Sequence, residues 1–166
     1  MASFSHNHDI GARLKGFNAL NAVVVTAGTT ADGNQYDGFI YDRLSVGGTN
    51  TDLFLSAKCI VQYDAAGLAN TVTATIAQQW QHSSSTASTA FSDITDIDGS
   101  TAVSTVVTGT TAVAAFSGVS EADLDLSQRK RYIRIQVTPT LSTTATDTVD
   151  IGAVLVFGGG DGDPAN

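Results

Sequence analysis

Apolar and polar residues alternate along several stretches of the chain, and this period of two is typical of β-strands that bury one face. The longest such stretch covers residues 53–63, and similar stretches cover residues 72–81 and 131–139. Residues 148–157 are more apolar on both faces than the other stretches, which indicates a strand at the centre of a sheet. In the longest stretch we expect these residues to face the core: Leu53, Leu55, Ala57, Cys59 and Val61.

Shorter strands are predicted between turns that are rich in Gly, Asn and Asp. Because residues 64–70 form a turn between two alternating stretches, we expect strands 53–63 and 72–81 to pair as a hairpin with a long loop. Residues 120–130 could form a short helical turn. Ser120 can cap its N-terminus, and the Asp123 side chain can accept a hydrogen bond from the Ser120 backbone N–H, as in a capping box. The shorter strands are expected at residues 18–27, 36–46, 91–97, 102–108 and 112–116.

These segments predict an all-β chain, because no helix is long enough for the crossover that parallel strands need. The expected fold is a single antiparallel β-sandwich, either jelly-roll or Ig-like, with an extended N-terminal arm. We assign residues 1–18 to the arm, because they show neither strand nor helix periodicity. Residues 19–158 are assigned to the sandwich and residues 159–166 to a flexible C-terminal tail.

Charge and composition narrow the possible partners. The 166 residues include 16 acidic and 8 basic side chains, a net charge of −8, so we expect no direct binding to nucleic acid. The N-terminal residues lack the apolar core of a secretory signal, so we expect synthesis in a cytoplasm. No stretch approaches the roughly 18 apolar residues that span a bilayer, and we expect no membrane partner.

The sequence offers little for catalysis, and we expect no enzymatic activity and no cofactor. The three histidines, His6, His8 and His82, lie in the arm or in a Ser-rich loop, and no nucleophile motif accompanies them. Cys59 is the only cysteine, and its apolar neighbours predict a buried side chain. The acidic turn at residues 93–98 could hold calcium, but its spacing is not that of a calcium-binding loop, and ordinary turn chemistry is the preferred interpretation.

Two segments are candidates for a partner interface. Arg129, Lys130, Arg131 and Arg134 place half of the 8 basic residues within six positions of an acidic chain. They could dock onto an acidic protein surface, or they could pair with neighbouring Asp residues. The arm combines apolar and basic side chains that could bind along a groove of a partner. The arm candidates are Phe4, Ile10, Arg13, Lys15 and Phe17.

The layout from residue 39 to residue 159 resembles that of small β-sandwich proteins that decorate or complete the capsids of tailed bacteriophages. The resemblance is carried by the sequence QWQHS at 79–83 with FSDI at 91–94, KRYIRI at 130–135, and AVLVFGG at 153–159. The family pattern usually has an acidic Asp-Gly turn where this chain has SSSTASTA, which leaves the role of that loop open.

The resemblance implies a capsid decoration, or cement, protein that binds the major capsid protein. It also implies a place on the capsid surface of the virion, no cofactor, and self-association with a trimer favoured. Two other functions stay open. A phage tail or head-tail connector protein would share the fold, and a carbohydrate-binding or adhesin sandwich would need more exposed aromatic side chains than a 7% aromatic content provides.

Overall fold

The computed structural model describes residues 14–44, 54–95, 103–109, 117–142 and 147–158. These ranges contain strands and turns, with a single 3-10 turn at Ser88–Ala90 and no α-helix. None of the described segments forms a helix long and apolar enough to cross a membrane. The strands are β1 (Lys15–Thr26), β2 (Tyr36–Asp37), β3 (Tyr41–Asp42), β4 (Ser56–Gly67), β5 (Thr73–Ser83), β6 (Ser92–Asp93), β7 (Val103–Thr108), β8 (Ser117–Asp125), β9 (Tyr132–Leu141) and β10 (Thr148–Gly158).

The strands form two antiparallel sheets. The first sheet has the order β1-β10-β4-β8, and the second has the order β2-β9-β5-β6, with β3 also on β9 and β7 also on β5. The pairs are nested along the chain: β1 with β10, β2 and β3 with β9, β4 with β8, and β5 with β6 and β7. A long hairpin folded over on itself gives this order, which is that of a jelly-roll. The all-β antiparallel sandwich is therefore confirmed.

Alternation explains how the two sheets enclose one core. Trp80 and Ile135 face each other in register on β5 and β9, and both side chains are fully buried. On the other sheet Cys59 pairs with Leu155, again both buried. β10 lies between β1 and β4, as its apolar composition predicted. Each inward residue thus contributes to the apolar burial that stabilises the fold.

Two predictions were wrong, one about strand pairing and one about a helical turn. β4 and β5 do not form a hairpin, because β4 belongs to the first sheet and β5 to the second. Residues 120–125 are not helical but belong to β8, where inward Ser120 and Leu124 alternate with outward acidic residues. Ser120 is tolerated inside because its hydroxyl lies 2.7 Å from the Gln78 amide nitrogen and 2.6 Å from the Thr105 hydroxyl.

The expected buried face of β4 is confirmed for Ala57, Cys59 and Val61, which are all buried, but Leu55 is exposed. The reason is that β4 begins only at Ser56, so strand alternation does not yet govern Leu55, and the preceding Phe54 fills the core instead. Residues 53, 96–102 and 110–116, which carry parts of other predicted strands, lie outside the described residues.

The N-terminal strand starts earlier than expected. β1 begins at Lys15, so residues 15–18, which were assigned to the arm, lie in the first sheet beside β10. Irregular register between Asn18 and Val23 hides the strand period in the sequence. The predicted strand at 36–46 is likewise broken into β2 and β3. The break lies at Gly38, where an added Cβ would lie 2.7 Å from the Ala19 carbonyl oxygen.

Candidate interaction surface

All the lysines and arginines that the structure describes lie at one end of the sandwich. This basic end comprises the start of β1, β4 and β9 and the end of β3, β8 and β10. The opposite, acidic end carries Asp32, Asp64, Asp147 and Asp150, and the sequence has no Lys or Arg between residues 59 and 128 or after residue 134. The described basic residues are Lys15, Arg43, Lys58, Arg129, Lys130, Arg131 and Arg134.

Arg131 forms an ion pair across the second sheet. Its guanidinium binds Asp42 at the end of β3, with Nε 2.9 Å and Nη2 2.6 Å from Oδ2, and it lies 5.2 Å from the ring centroid of Tyr132. The hydrogen bonds from Arg131 lower the pKa of Asp42 below its usual value. This pairing matches the alternative in which the basic cluster binds neighbouring Asp residues.

Arg134 is buried, with 5% of its surface exposed. Its Nε donates a hydrogen bond to the Gln81 side-chain oxygen at 2.8 Å, and its Nη1 lies 2.7 Å from an Asp37 carboxylate oxygen. The guanidinium also lies 4.5 Å from the ring centroid of Phe91. Arg134 therefore joins β9 to β5 and to the segment before β6, and it presents little charge to a partner.

Arg129 and Lys130 lie in the connection from β8 to β9 and point their charges outward. Arg129 Nε donates to the Asp125 carbonyl oxygen at 3.0 Å, and the exposed Lys130 has its Nζ 3.4 Å from the Ser92 hydroxyl. The pKa of His82 is lowered by burial and by the positive charges of Lys130 and Arg129. Arg131 and Arg134 each form an ion pair, whereas Arg129 and Lys130 form none with the carboxylates that the structure describes.

Two of the arm candidates lie in β1. Lys15 Nζ is 5.9 Å from the ring centroid of Phe54. Phe17 is half-buried and packs against Tyr41 and Phe157, with ring centroids 5.3 Å and 5.8 Å away. Phe17 therefore contributes to the edge of the core. The other arm candidates, Phe4, Ile10 and Arg13, lie outside the described residues.

A groove of about 570 Å³ opens at the basic end beside the start of β1. Exposed Leu14 and Leu55 line it together with Leu124, and Lys58 and Asp123 supply charged groups. Lys58 Nζ lies 2.7 Å from Glu121 and 3.2 Å from Asp123. The groove thus combines apolar contact area with fixed charges at the point where the N-terminal segment joins the sandwich.

Sequence patterns did not indicate Arg43, Leu55 or Lys58 as part of this surface. Arg43 donates through Nη1 to the Leu126 carbonyl oxygen, which fixes the connection that precedes Arg129 and Lys130. The positions of the basic residues in the sequence did not indicate the set, because Lys58 lies in the middle of the alternating stretch 53–63 and Arg43 lies outside all three such stretches. The order of the strands in the two sheets shows which strand ends lie side by side and form this surface.

The described residues offer no cluster of metal ligands, and the single cysteine of the chain is buried. No group of three or more His, Cys, Asp or Glu side chains in these ranges could hold a metal ion. Burial raises the pKa of the Cys59 thiol to about 12, so it stays protonated at neutral pH. Asp93 of the acidic turn accepts a hydrogen bond from Gln81 at 2.7 Å, while residues 96–98 lie outside the described ranges.

Comparison with known protein families finds no match, and comparison with curated proteins finds no similar sequence. Among solved structures, the chain is similar to one of infectious bursal disease virus, strain Gx, with 13% identity and a TM-score of 0.47 over 92% of this chain. It is also similar to a chain of the Israel acute paralysis virus pentamer, with 14% identity and a TM-score of 0.38 over 94% of each chain.

A third similar structure is the cleaved adhesin domain of Lys-gingipain from Porphyromonas gingivalis, with 11% identity and a TM-score of 0.39 over 89% of this chain and 99% of that domain. The chain spans 33% of the infectious bursal disease virus chain that it matches. Since all three scores lie below 0.5, the jelly-roll assignment rests on the strand pairing of this chain itself.

Proposed function

We propose that the chain is a non-enzymatic structural protein of a virion, and that it decorates the capsid of a tailed bacteriophage by docking onto the major capsid protein. The docking surface is the basic end. Arg129 and Lys130 supply the cations that form no ion pair with a described carboxylate, and the groove at Leu14 and Leu55 is the apolar part. The finer parts of this proposal, namely the phage, the cement role and self-association as a trimer, come from the sequence resemblance.

The unequal charge of the two ends is the observation that carries this proposal. Among the described residues, seven Lys and Arg side chains lie with six acidic ones near the basic end, whereas four acidic side chains and no basic one lie toward the other end. A negatively charged shell would attract the first end and repel the second. Charge would therefore set the orientation and the rate of docking, while apolar contact would supply most of the affinity.

The position of Leu14 adds to this proposal. Residue 14 lies at the start of β1, beside the groove of the basic end, so the N-terminal segment joins the sandwich there. Phe4, Ile10 and Arg13 of that segment would extend the same contact along the shell. A carbohydrate-binding sandwich is less well supported, because the sole tryptophan, Trp80, is fully buried and cannot form a sugar-binding platform.

Binding to shells that lack this protein tests the proposal. We expect the double change Arg129→Gln with Lys130→Gln to weaken capture roughly tenfold, which corresponds to about 1.4 kcal/mol. The matched control, Thr108→Glu with Thr140→Glu, alters the net charge by the same amount but at exposed positions toward the acidic end. This control should leave capture nearly unchanged, apart from a small loss caused by repulsion between the two added carboxylates and a negatively charged shell. Equal losses in both proteins, or no binding by the unaltered chain, would refute docking through the basic end.

A further inference from the structure

Two inward side chains of β5 carry polar atoms that the surrounding core does not satisfy. Gln78 and Trp80 are both fully buried, and neither the Gln78 side-chain oxygen nor the Trp80 indole nitrogen has a hydrogen-bond partner among the described residues. Buried polar groups in proteins are almost always hydrogen-bonded, either to other protein groups or to ordered water. These two atoms are therefore expected to bind something that the core encloses.

The other end of the Gln78 amide is held by hydrogen bonds between the two sheets. Its nitrogen donates to the Ser120 hydroxyl at 2.7 Å, and that hydroxyl lies 2.6 Å from the hydroxyl of Thr105. Exchanging the amide oxygen and nitrogen would not remove the unpartnered group, because the nitrogen would then take the place of the oxygen. Either orientation leaves one end of the amide without a partner in the described part of the protein.

Gln78 and Trp80 project side by side into the space between the sheets. They are two residues apart on one strand, so their Cβ atoms lie on the same face about 6.8 Å apart. One water with a hydrogen bond of about 2.8 Å on each side can link atoms up to about 5.6 Å apart, so it can reach both side chains. The step along β8 from Ser120 to Ala122 runs in the same direction as the step from Gln78 to Trp80. Ala122 and its register partner Cys59 are small and buried, and they leave more room between the sheets than larger side chains would.

The two atoms specify the chemistry of their ligand. The indole N–H of Trp80 only donates a hydrogen bond, and the side-chain oxygen of Gln78 only accepts one. The ligand must therefore accept on one side and donate on the other, and a charged ligand would find no opposite charge in either group. It must also be small, because protein cores are closely packed. Water meets these requirements, whereas an ammonium group has no acceptor and a halide ion has no donor.

We propose that a single buried water molecule bridges Trp80 and Gln78, accepting a hydrogen bond from the indole N–H and donating one to the amide oxygen. The water completes a polar chain that runs from Thr105 on β7 through Ser120 on β8 to Gln78 and Trp80 on β5. This chain joins the second sheet to β8 of the first sheet inside a mostly apolar core. The site lies between the sheets and not at the basic end, so it does not depend on the proposed function.

A high-resolution crystal structure of the full chain tests this inference directly. We expect a water oxygen about 2.7–3.2 Å from both the Trp80 indole nitrogen and the Gln78 side-chain oxygen. Density beside only one of these atoms, no density between them, or a direct hydrogen bond between the two side chains would overturn the inference. This test uses the unaltered protein, so its outcome does not depend on the folding of any variant.

NMR spectroscopy tests the same site in solution. Because Trp80 is the sole tryptophan, its indole proton gives one signal, and we expect a cross-relaxation peak between this proton and a long-lived water. Gln78→Met removes the acceptor but keeps a side chain of similar length, so this peak should disappear and the indole proton should shift upfield as its hydrogen bond is lost. Thr105→Val is the matched control. It removes a hydroxyl of the same polar chain but neither bridged group, so the peak should remain.

The two variants also distinguish a bound water from a false signal, because exchanging hydroxyl protons of Ser120 and Thr105 could produce a similar peak. A peak that persists in folded Gln78→Met, or one that is lost in Thr105→Val, would overturn the bridge and assign the signal to these hydroxyls. The absence of a peak in the unaltered chain would overturn it as well. Circular dichroism shows whether each variant is folded, and if Gln78→Met is not, the crystal structure of the unaltered chain decides.

Discussion

Replacing Arg134 by Ala should destabilise the fold, although Arg134 belongs to the basic cluster that the sequence offers as a docking patch. The guanidinium is buried, donates to Gln81, pairs with Asp37 and lies over Phe91. The change removes all three contacts and leaves the Gln81 oxygen without its donor. We therefore expect the free energy of unfolding to fall by about 2–4 kcal/mol.

The magnitude follows from the individual contacts. A hydrogen bond to a charged group contributes about 1.5–3 kcal/mol, and a guanidinium over an aromatic ring about 0.5–2 kcal/mol. The ion pair adds less than the roughly 3–5 kcal/mol of a fully buried one, because water can solvate the Asp37 carboxylate, whose side chain is 44% exposed. Contacts of one side chain are not additive, so the expected total stays below their sum.

Urea denaturation followed by the fluorescence of Trp80 measures this loss, because Trp80 is the sole tryptophan and is fully buried. Arg129→Ala is the matched control, and it should change stability by no more than about 0.5 kcal/mol, as is usual at the surface. If Arg134→Ala cost less than about 0.5 kcal/mol, or no more than the control, the structural role of Arg134 would be refuted.

Three further predictions concern reactivity, acid stability and the N-terminal segment. Cys59 should resist thiol reagents in the native state, because burial raises its pKa to about 12, and rapid labelling without denaturant would contradict this. The ion pair between Asp42 and Arg131 stabilises the fold fully at pH values above the ordinary Asp pKa of about 3.9. This stabilisation is lost as the pH falls through the lowered pKa of Asp42. Asp42→Asn should therefore reduce the acid sensitivity of the urea midpoint, and an unchanged pH profile would argue against it. Deletion of residues 2–13 should leave thermal melting nearly unchanged but weaken capture by shells roughly tenfold. Unchanged capture would remove the segment from the interface.

Alternation in the sequence predicted β5 and β9, each of which buries one face. It could not assign strands to sheets, because a period of two specifies which face is buried but not which strand lies alongside. The expected β4–β5 hairpin failed for this reason. Ser120 shows a second limit of sequence patterns. It is a small polar residue at an inward position of β8, so it interrupts the apolar alternation, and its partners Gln78 and Thr105 are evident only in the structure.

The candidate surface was predictable only in part. The cluster at residues 129–134 was evident from its charge, but alternation placed Arg134 on an exposed face. It is buried because Asp37, Gln81 and Phe91 cover it, and these residues are distant in sequence. Similarly, Lys58 and Leu55 join the basic end only through the order of the first sheet, which brings the start of β4 beside the end of β8.

Electron cryomicroscopy of the parent virus particle tests the central claim most directly. We expect many copies of the jelly-roll on the outer surface of the capsid, each with the connection at Arg129 and Lys130 facing the major capsid protein. The acidic end, with Asp32 and Asp147, should face solvent. Finding the chain only in the tail or connector, or finding its acidic end against the shell, would contradict the proposed function.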